Sequence, residues 1–310
     1  MTSPLLVVVG PTCTGKTALA VAAAQALAPA EILNADSRQV RRGLRVGTCT
    51  PTADELKGVR CELLDLCDPG EPFTVADWLV TARRCLDRLD HSGSRAVVSG
   101  GTGLYVTALV DGFDLAGAGP DPGRRAARTE SAATPGGLDD LVAELRARDP
   151  VGAASIDRRN PRRVIRALEI LDARGGSLRT AQRRVTPRDA VMIGLDVARP
   201  IHARWIAQRT AAMFDSGGIQ DEVRRLLQGG LDRTVIVGCG IGYAEALDLV
   251  QGRLDVAEAV QATTERTLRY ARAQRTWFRR DTRITWLRPD LVSFDELLEE
   301  TVRLDASPSS

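Results

Sequence analysis

The 310-residue chain has almost no lysine: Lys16 and Lys57 are the only two among 42 basic residues. Where arginine is so favoured, a lysine kept inside a Gly-rich turn points to a need for a compact ammonium. Histidine is nearly as scarce, with only His91 and His202, and aromatics make up 4% of the chain. No apolar run approaches the roughly 20 residues that a membrane-spanning helix requires, so no membrane partner is expected. The opening MTSPLLVVVGPT has no positively charged leader and runs straight into a strand and turn. That argues against a secretory signal, and the expected compartment is the cytoplasm. The six cysteines (Cys13, Cys49, Cys61, Cys67, Cys85 and Cys239) form no C-x-x-C pair, and only two histidines could join them. A zinc site or a disulfide framework is therefore not expected, and reduced thiols are.

The length suits two domains, and 44% apolar content is enough for a sizeable core. A net charge of +2 conceals an asymmetry. Pro120 to Arg188 holds 15 Arg and no Lys against 9 Asp or Glu, a balance of +6 that leaves about −4 for the rest. A basic module on a mildly acidic body suggests a polyanionic partner, although a solvated charged surface is the commoner cause of such a count.

Leu5 to Val9 reads as a short buried strand, Ala18 to Ala28 as a helix, and Glu31 to Asn34 and Arg95 to Ser99 as further strands. Strands alternating with helices predict a parallel α/β sheet. Gly112 to Gly137 is rich in Gly, Ala and Pro and reads as a linker into a helical module with helices at Leu138 to Arg148 and Arg162 to Ala173. A strand at Val191 to Leu195 returns the chain to the α/β body. Helices follow at about Ile201 to Phe214, Ile219 to Leu227 and Asp255 to Arg280. The expected fold is thus a P-loop NTPase-like α/β core with a helical insertion. Residues 1–113 open the core, 114–188 form a basic insertion, 189–304 complete the core, and 305–310 are an expected disordered tail.

The octet Gly10-Pro11-Thr12-Cys13-Thr14-Gly15-Lys16-Thr17 matches G-x-x-x-x-G-K-[ST] between a strand and a helix. Its backbone N–H groups and the helix N-terminus can cradle phosphate oxygens, Lys16 can neutralise the terminal phosphate, and Thr17 can ligate Mg²⁺. The loop identifies a diphosphate rather than a nucleotide. A P-loop NTPase usually holds Mg²⁺ with a carboxylate at a second strand end, and Val97-Val98-Ser99-Gly100-Gly101 has none. That favours a transferase in which diphosphate is only the leaving group. Asn34-Ala35-Asp36-Ser37-Arg38-Gln39 puts Asp36 at the carboxyl edge of the sheet beside the phosphate loop. Asp-Ser after a strand is equally an ordinary helix cap.

Taken in order, GPTCTGKT, NADSRQ, Gly43 with Gly47-Thr48, GGTGLYVTAL, DPVGAASIDRRNPRRVIRALEI, Ile241-Gly242-Tyr243 and AQRTWFRRD resemble bacterial tRNA dimethylallyltransferases, the tRNA isopentenyltransferase family. The likeness runs over nearly the whole chain. Adenylate dimethylallyltransferases share the first, second and fourth blocks, so the C-terminal blocks carry the finer assignment. The resemblance implies a monomer that takes dimethylallyl diphosphate and Mg²⁺. Its helical insertion grips the anticodon stem-loop of tRNA, and the adenine 3′ to the anticodon is flipped out so that its N6 can attack the prenyl carbon. It implies Asp36 as general base, Thr102 beside the acceptor and Arg209 on the diphosphate. It also implies RNA contacts at Asp36, Ser37, Arg38, Gln39 and Thr102, and at Arg162, Arg163, Val164, Ile165 and Arg166. Arg38, Arg41, Cys49, Thr50 and Trp205 depart from the residues usual in that family. Two other functions stay open at this level: a dimethylallyltransferase with a mononucleotide acceptor, and a small-molecule P-loop kinase. A third, weaker one is an RNA-binding protein without catalysis.

Two basic stretches fit a phosphate backbone: Arg158 to Arg166, and the helix carrying Arg272, Arg275 and Arg279. On that helix, spacing puts Tyr270, Ala273 and Trp277 on one face, with Trp277 and Phe278 expected in the core.

Overall fold

The structure is a computed structural model and describes residues 3–114, 121–178 and 187–306. It forms two compact units, one of Met1–Val110 with Arg188–Ser310 and one of Asp111–Pro187. The first begins β1 (Leu5–Val9), α1 (Lys16–Ala26), β2 (Ala30–Asn34), α2 (Ala53–Leu56), β3 (Cys61–Glu62), α3 (Val75–Ser92), β4 (Arg95–Gly100) and α4 (Gly103–Val110). The second holds α5 (Pro122–Ala133), α6 (Gly137–Arg148), α7 (Pro150–Ser155) and α8 (Pro161–Arg174). The first unit resumes with β5 (Ala190–Leu195), α9 (Arg199–Asp215), α10 (Gly218–Gln228), α11 (Arg233–Cys239), α12 (Tyr243–Val250), α13 (Val256–Phe278), β6 (Ile284–Leu287) and α14 (Phe294–Ala306).

The six strands order as β3-β2-β4-β1-β5-β6, and every pair is parallel. Continuous apolar runs are what a sheet covered on both faces demands, and all five residues of β1 (LLVVV) are buried. Leu6, Val8, Leu19, Ala20, Ile32, Val97 and Ile193 form the core between this sheet and α1. Register levels the strand ends, with Val9 opposite Gly100 and Gly194, and Asn34 opposite Ser99.

The helical unit has its own core, built from Leu141, Val142, Leu145, Val164, Ile165, Leu168 and Leu171. Two expectations change here. Val164 and Ile165 are 0% and 5% exposed, so their side chains carry the packing of α8 and cannot reach an RNA. The Gly112 to Gly137 stretch is not all linker, because α5 occupies Pro122–Ala133 with Asp121 accepting from the Arg124 N–H at 3.1 Å and Pro122 in its first turn. No residue of α5 is buried. It is held by ion pairs, Arg125 to Glu169 at 2.6 Å and Arg128 to Asp172 at 2.7 Å, which leave no apolar stripe to find. Residues 115–120 of the expected linker lie outside the described residues. At the far boundary Arg188 belongs to the core unit, donating from its backbone to Val110 at 2.9 Å and from its guanidinium to Asp90 at 2.8 Å. The expected disordered tail begins inside α14, where Asp305 pairs with Arg95; residues 307–310 lie outside the described residues.

Three blocks of sequence meet around one buried carboxylate. Glu222, 1% exposed, accepts from the N–H groups of Arg45 at 2.6 Å, Val46 at 2.7 Å and Gly47 at 3.1 Å, and from the Tyr243 hydroxyl at 2.8 Å. A Cβ at Gly47 would sit 2.5 Å from the Tyr243 ring, so only glycine lets the 45–47 loop lie on that tyrosine. Glu222→Ala should leave three amides without their acceptor. At about 1 kcal/mol net per hydrogen bond, and more to a charged acceptor, the loss should reach roughly 3 kcal/mol and lower Tm by several degrees in a thermal melt. A shift of under about one degree would show that the loop is held by other contacts.

Candidate active site

The phosphate loop leaves the carboxyl end of β1 and enters α1 at Lys16. Gly10 and Gly15 take φ of 138° and 87°, values that L side chains rarely adopt. The loop is closed on itself, with the Pro11 carbonyl accepting from Thr14 Oγ1 at 2.9 Å and from Lys16 Nζ at 2.7 Å. Thr12 is held at three atoms. Its N–H donates to Gln274 Oε1 at 2.8 Å, its carbonyl accepts from His202 Nε2 at 2.7 Å, and its hydroxyl accepts from Arg209 Nη2 at 2.9 Å.

The His202 tautomer follows from its neighbours. Arg275 Nη2 lies 3.3 Å from Nδ1 and can only donate, so Nε2 carries the proton that reaches Thr12. Burial holds His202 below the ordinary histidine value, with the Thr12 bond opposing and the Arg275 charge assisting. Arg275 is itself anchored on Asp196 at 2.7 Å, as is Arg279 at 2.6 Å. This second basic stretch is therefore partly neutralised within the protein.

Beside the loop, Asp36 follows β2 and its Oδ1 accepts from the Arg38 N–H at 2.8 Å. Thr102 follows β4. Its N–H donates to the Ala35 carbonyl at 3.1 Å, and its hydroxyl accepts from the Ser37 N–H at 2.9 Å and donates to Ser37 Oγ at 3.1 Å. These bonds tie the Asp36-Ser37 turn to the end of β4. Gln39 is turned away and holds the Thr48 and Cys49 carbonyls at 3.2 and 2.8 Å, while exposed Arg38 reaches the Gly238 carbonyl at 2.8 Å. Thr12, Asp36, Arg38, Thr48, Cys49, Arg209 and Tyr270 line one cleft. Thr17 is exposed in the first turn of α1.

The electrostatics of the cleft are polarised. Burial lowers Lys16 to about 8, Asp36 opposes that shift and Arg209 adds to it. Arg209 Nε is buried with no hydrogen-bond partner in the protein, a charged donor whose desolvation is unreturned until an anion meets it. Burial pushes the Cys13 and Cys49 thiols up. Tyr270 rises to about 12, from burial first and then the Asp36 charge. The arrangement can bind a small polyanion on the loop while presenting a carboxylate to a second molecule.

Three participants receive no role from the motifs: Gln274, which lies inside the AQRTWFRRD block, His202 and Tyr270. Gln274 and Tyr270 sit one turn apart on α13, whose buried positions are Ala259, Thr263, Thr267, Ala271, Gln274 and Phe278. A run of buried polar residues at helical spacing is the signal that could have found them. Phe278 is core as expected, but Trp277 is 38% exposed and Ala273 is exposed too. In the helical unit Arg158, Arg162 and Arg163 are exposed, whereas Arg166 is half-buried and pairs with Glu169 at 3.2 Å.

The family described as IPP transferase matches residues 39–281. A tRNA dimethylallyltransferase of Bifidobacterium longum is 41% identical over 302 residues, covering 94% of this chain and 89% of that protein. One from Anaeromyxobacter sp. is 43% identical over 291 residues, covering 92% and 93%. Among solved structures, the full-length tRNA isopentenylpyrophosphate transferase of Bacillus halodurans superposes with a TM-score of 0.69 at 34% identity, covering 98% of this chain and 100% of that one. A eukaryotic dimethylallyltransferase acting on tRNA gives a TM-score of 0.81 at 21% identity, covering 97% and 77%, a likeness of fold.

Lys16 supplies a test of the anion site with inorganic diphosphate as probe. The free loop should hold its ammonium below pH 8 and lose it above. Diphosphate affinity, read by calorimetry, should therefore fall by up to about tenfold per unit above that point. Lys16→Arg should bind without that decline. An affinity flat from pH 7 to 9.5 would show that Lys16 does not face the anion.

Proposed function

The chain belongs to the IPP transferase family, and from that membership we propose a specific reaction. A dimethylallyl group moves from dimethylallyl diphosphate to N6 of the adenine 3′-adjacent to the anticodon in tRNA, and diphosphate is released. One observation carries the reading. A carboxylate, Asp36, shares a cleft with the loop side chain Thr12 and with Arg209, a cation that has an unpaired buried N–H. The strand beside it ends Ser99-Gly100 without an acid, which disfavours a kinase.

The exocyclic amine of adenine is a weak nucleophile because its lone pair is delocalised into the ring. As its C–N bond forms and the carbon–oxygen bond to diphosphate breaks, Asp36 accepts the amine proton, a contribution of roughly 10²–10⁴-fold. Charge growing on the departing diphosphate meets Lys16, Arg209 and the N–H groups of the loop. Thr102 holds the Asp36-Ser37 turn in place from the next strand. Among the described residues no three His, Cys, Asp or Glu come together as a metal cage. Thr17, exposed in the first turn of α1, would be the protein's ligand to an Mg²⁺ ion held mainly by the phosphate oxygens of the prenyl donor. Such an ion would supply further neutralisation of the leaving group.

For the acceptor, the exposed Arg158, Arg162 and Arg163 of the helical unit suit contact with a phosphate backbone. Arg38 lines the same cleft as Asp36, where the flipped adenine would enter, and Ser37 between them is bonded to Thr102. No helix among the described residues is long and apolar enough to cross a membrane.

The test is transfer of label from dimethylallyl diphosphate to an anticodon stem-loop or to AMP. The stem-loop should be the better acceptor, and its affinity should fall steeply with salt, by about 0.9 in log–log slope for each phosphate neutralised. Asp36→Asn should lose at least 10²-fold in turnover while donor binding persists. ATP turnover at kinase rates without transfer, or preference for AMP, would overturn the proposal.

A further inference from the structure

Gln274 uses both polar atoms of its side chain, and each reaches a different half of the site. Its Oε1 accepts from the Thr12 N–H at 2.8 Å, and its Nε2 donates to the Gly101 carbonyl at 2.9 Å. The side chain is 5% exposed, and the two partners lie 262 and 173 residues away in sequence. We propose that Gln274 sets the spacing between the donor loop and the acceptor turn, a positioning role in the transfer reaction. The inference rests on the prenyl-transfer reading and deepens it.

Gly101 is where Gln274 meets the acceptor side. A Cβ built there would lie 2.2 Å from Gln274 Nε2 and 3.8 Å from Asp36 Oδ2, so the residue sits between the amide and the carboxylate. Thr102 follows at once and carries the Ala35 and Ser37 bonds that hold the Asp36 turn. On the donor side, Thr12 is also held by Arg209 and His202, but both come from α9 and neither bonds to the acceptor edge. Among the side-chain hydrogen bonds of the described residues at this site, those of the Gln274 amide span the two. It is planar, so the two bonds fix both a separation and a direction. No other uncharged side chain of this length offers an acceptor and a donor on one carbon. Two buried hydrogen bonds add modestly to stability. Their larger effect is on geometry, because a misplacement of about 1 Å between reacting groups can lower turnover by about 10²-fold.

Two variants of the full-length protein test this, with transfer to an anticodon stem-loop followed at saturating and limiting donor. Gln274→Leu removes both bonds. Turnover should drop roughly 10- to 100-fold while KM for dimethylallyl diphosphate changes by less than about threefold, since Lys16 and Arg209 stay in place. Gln274→Glu makes the role titratable. An ionised carboxylate accepts from Thr12 but cannot donate to Gly101, whereas a protonated carboxyl does both. The groups facing it are Asp36 beyond Gly101, Tyr270 on its own helix, and His202 with Arg209 across Thr12. Burial and Asp36 raise its protonation range, and Arg209 opposes them. The turnover of Gln274→Glu relative to wild type at each pH should therefore climb several-fold from pH 8 to pH 6; dividing by wild type removes what His202 and Lys16 contribute in both proteins. If wild type transfers normally, yet Gln274→Leu matches it in turnover or loses only donor KM, the inference is overturned. A flat ratio for Gln274→Glu overturns it too, and decides alone if Gln274→Leu does not fold. If wild type itself transfers nothing, the prenyl-transfer reading has failed instead.

Discussion

Val9 pairs with Gly100 and Asn34 with Ser99, so β1, β2 and β4 end at one level. Everything in the site depends on that register. The phosphate loop leaves β1, the carboxylate leaves β2 and Thr102 leaves β4, and each begins its excursion from the same edge. A slip of one residue in β2 would turn Asp36 to the other face of the sheet. The buried valines and leucines that prevent the slip are thus as necessary to catalysis as the polar groups they present.

That edge would still be soft without the long helix behind it. Strand ends and loops carry the chemistry, but α9 and α13 pin them, through His202 and Arg209 from one and Gln274 from the other. Asp196, at the end of β5, anchors Arg275, and Arg275 in turn fixes the proton of His202. A network of this kind is satisfied at nearly every atom, which is what makes buried polarity tolerable. Arg209 Nε stays buried without a partner in the protein, on a residue that lines the cleft.

The parts of this design that repeat locally were legible in the chain. A five-residue apolar strand before G-x-x-x-x-G-K-T specifies its own turn and helix, and Asp36 follows from where a parallel neighbour must end. What was not legible depends on partners far off in sequence. The helix at Pro122–Ala133 is organised by arginines that pair with Glu169 and Asp172, so its composition reads as a linker. Arg166 reads as one more phosphate contact but pairs with Glu169, and Val164 and Ile165 of the same helix face inward. Nine of the 15 arginine charges of the insertion are offset by acids of the same stretch, several at close range, and the +6 is what remains. Trp277 shows the converse error, since an aromatic counted as core lies partly in solvent.

The loop's chemistry also makes sense of a carboxylate at β2 and none at β4. A phosphoryl-transfer enzyme must neutralise the group being attacked, and a strand-end acid that holds Mg²⁺ serves that need. In prenyl transfer the diphosphate only departs. On the proposed reading the cations that face it matter more than a fixed metal cage, and Asp36, the acid that lines the cleft, would take a proton from the incoming amine. Lys16 and Arg209 on one side and Asp36 on the other are the distribution that such a reaction requires.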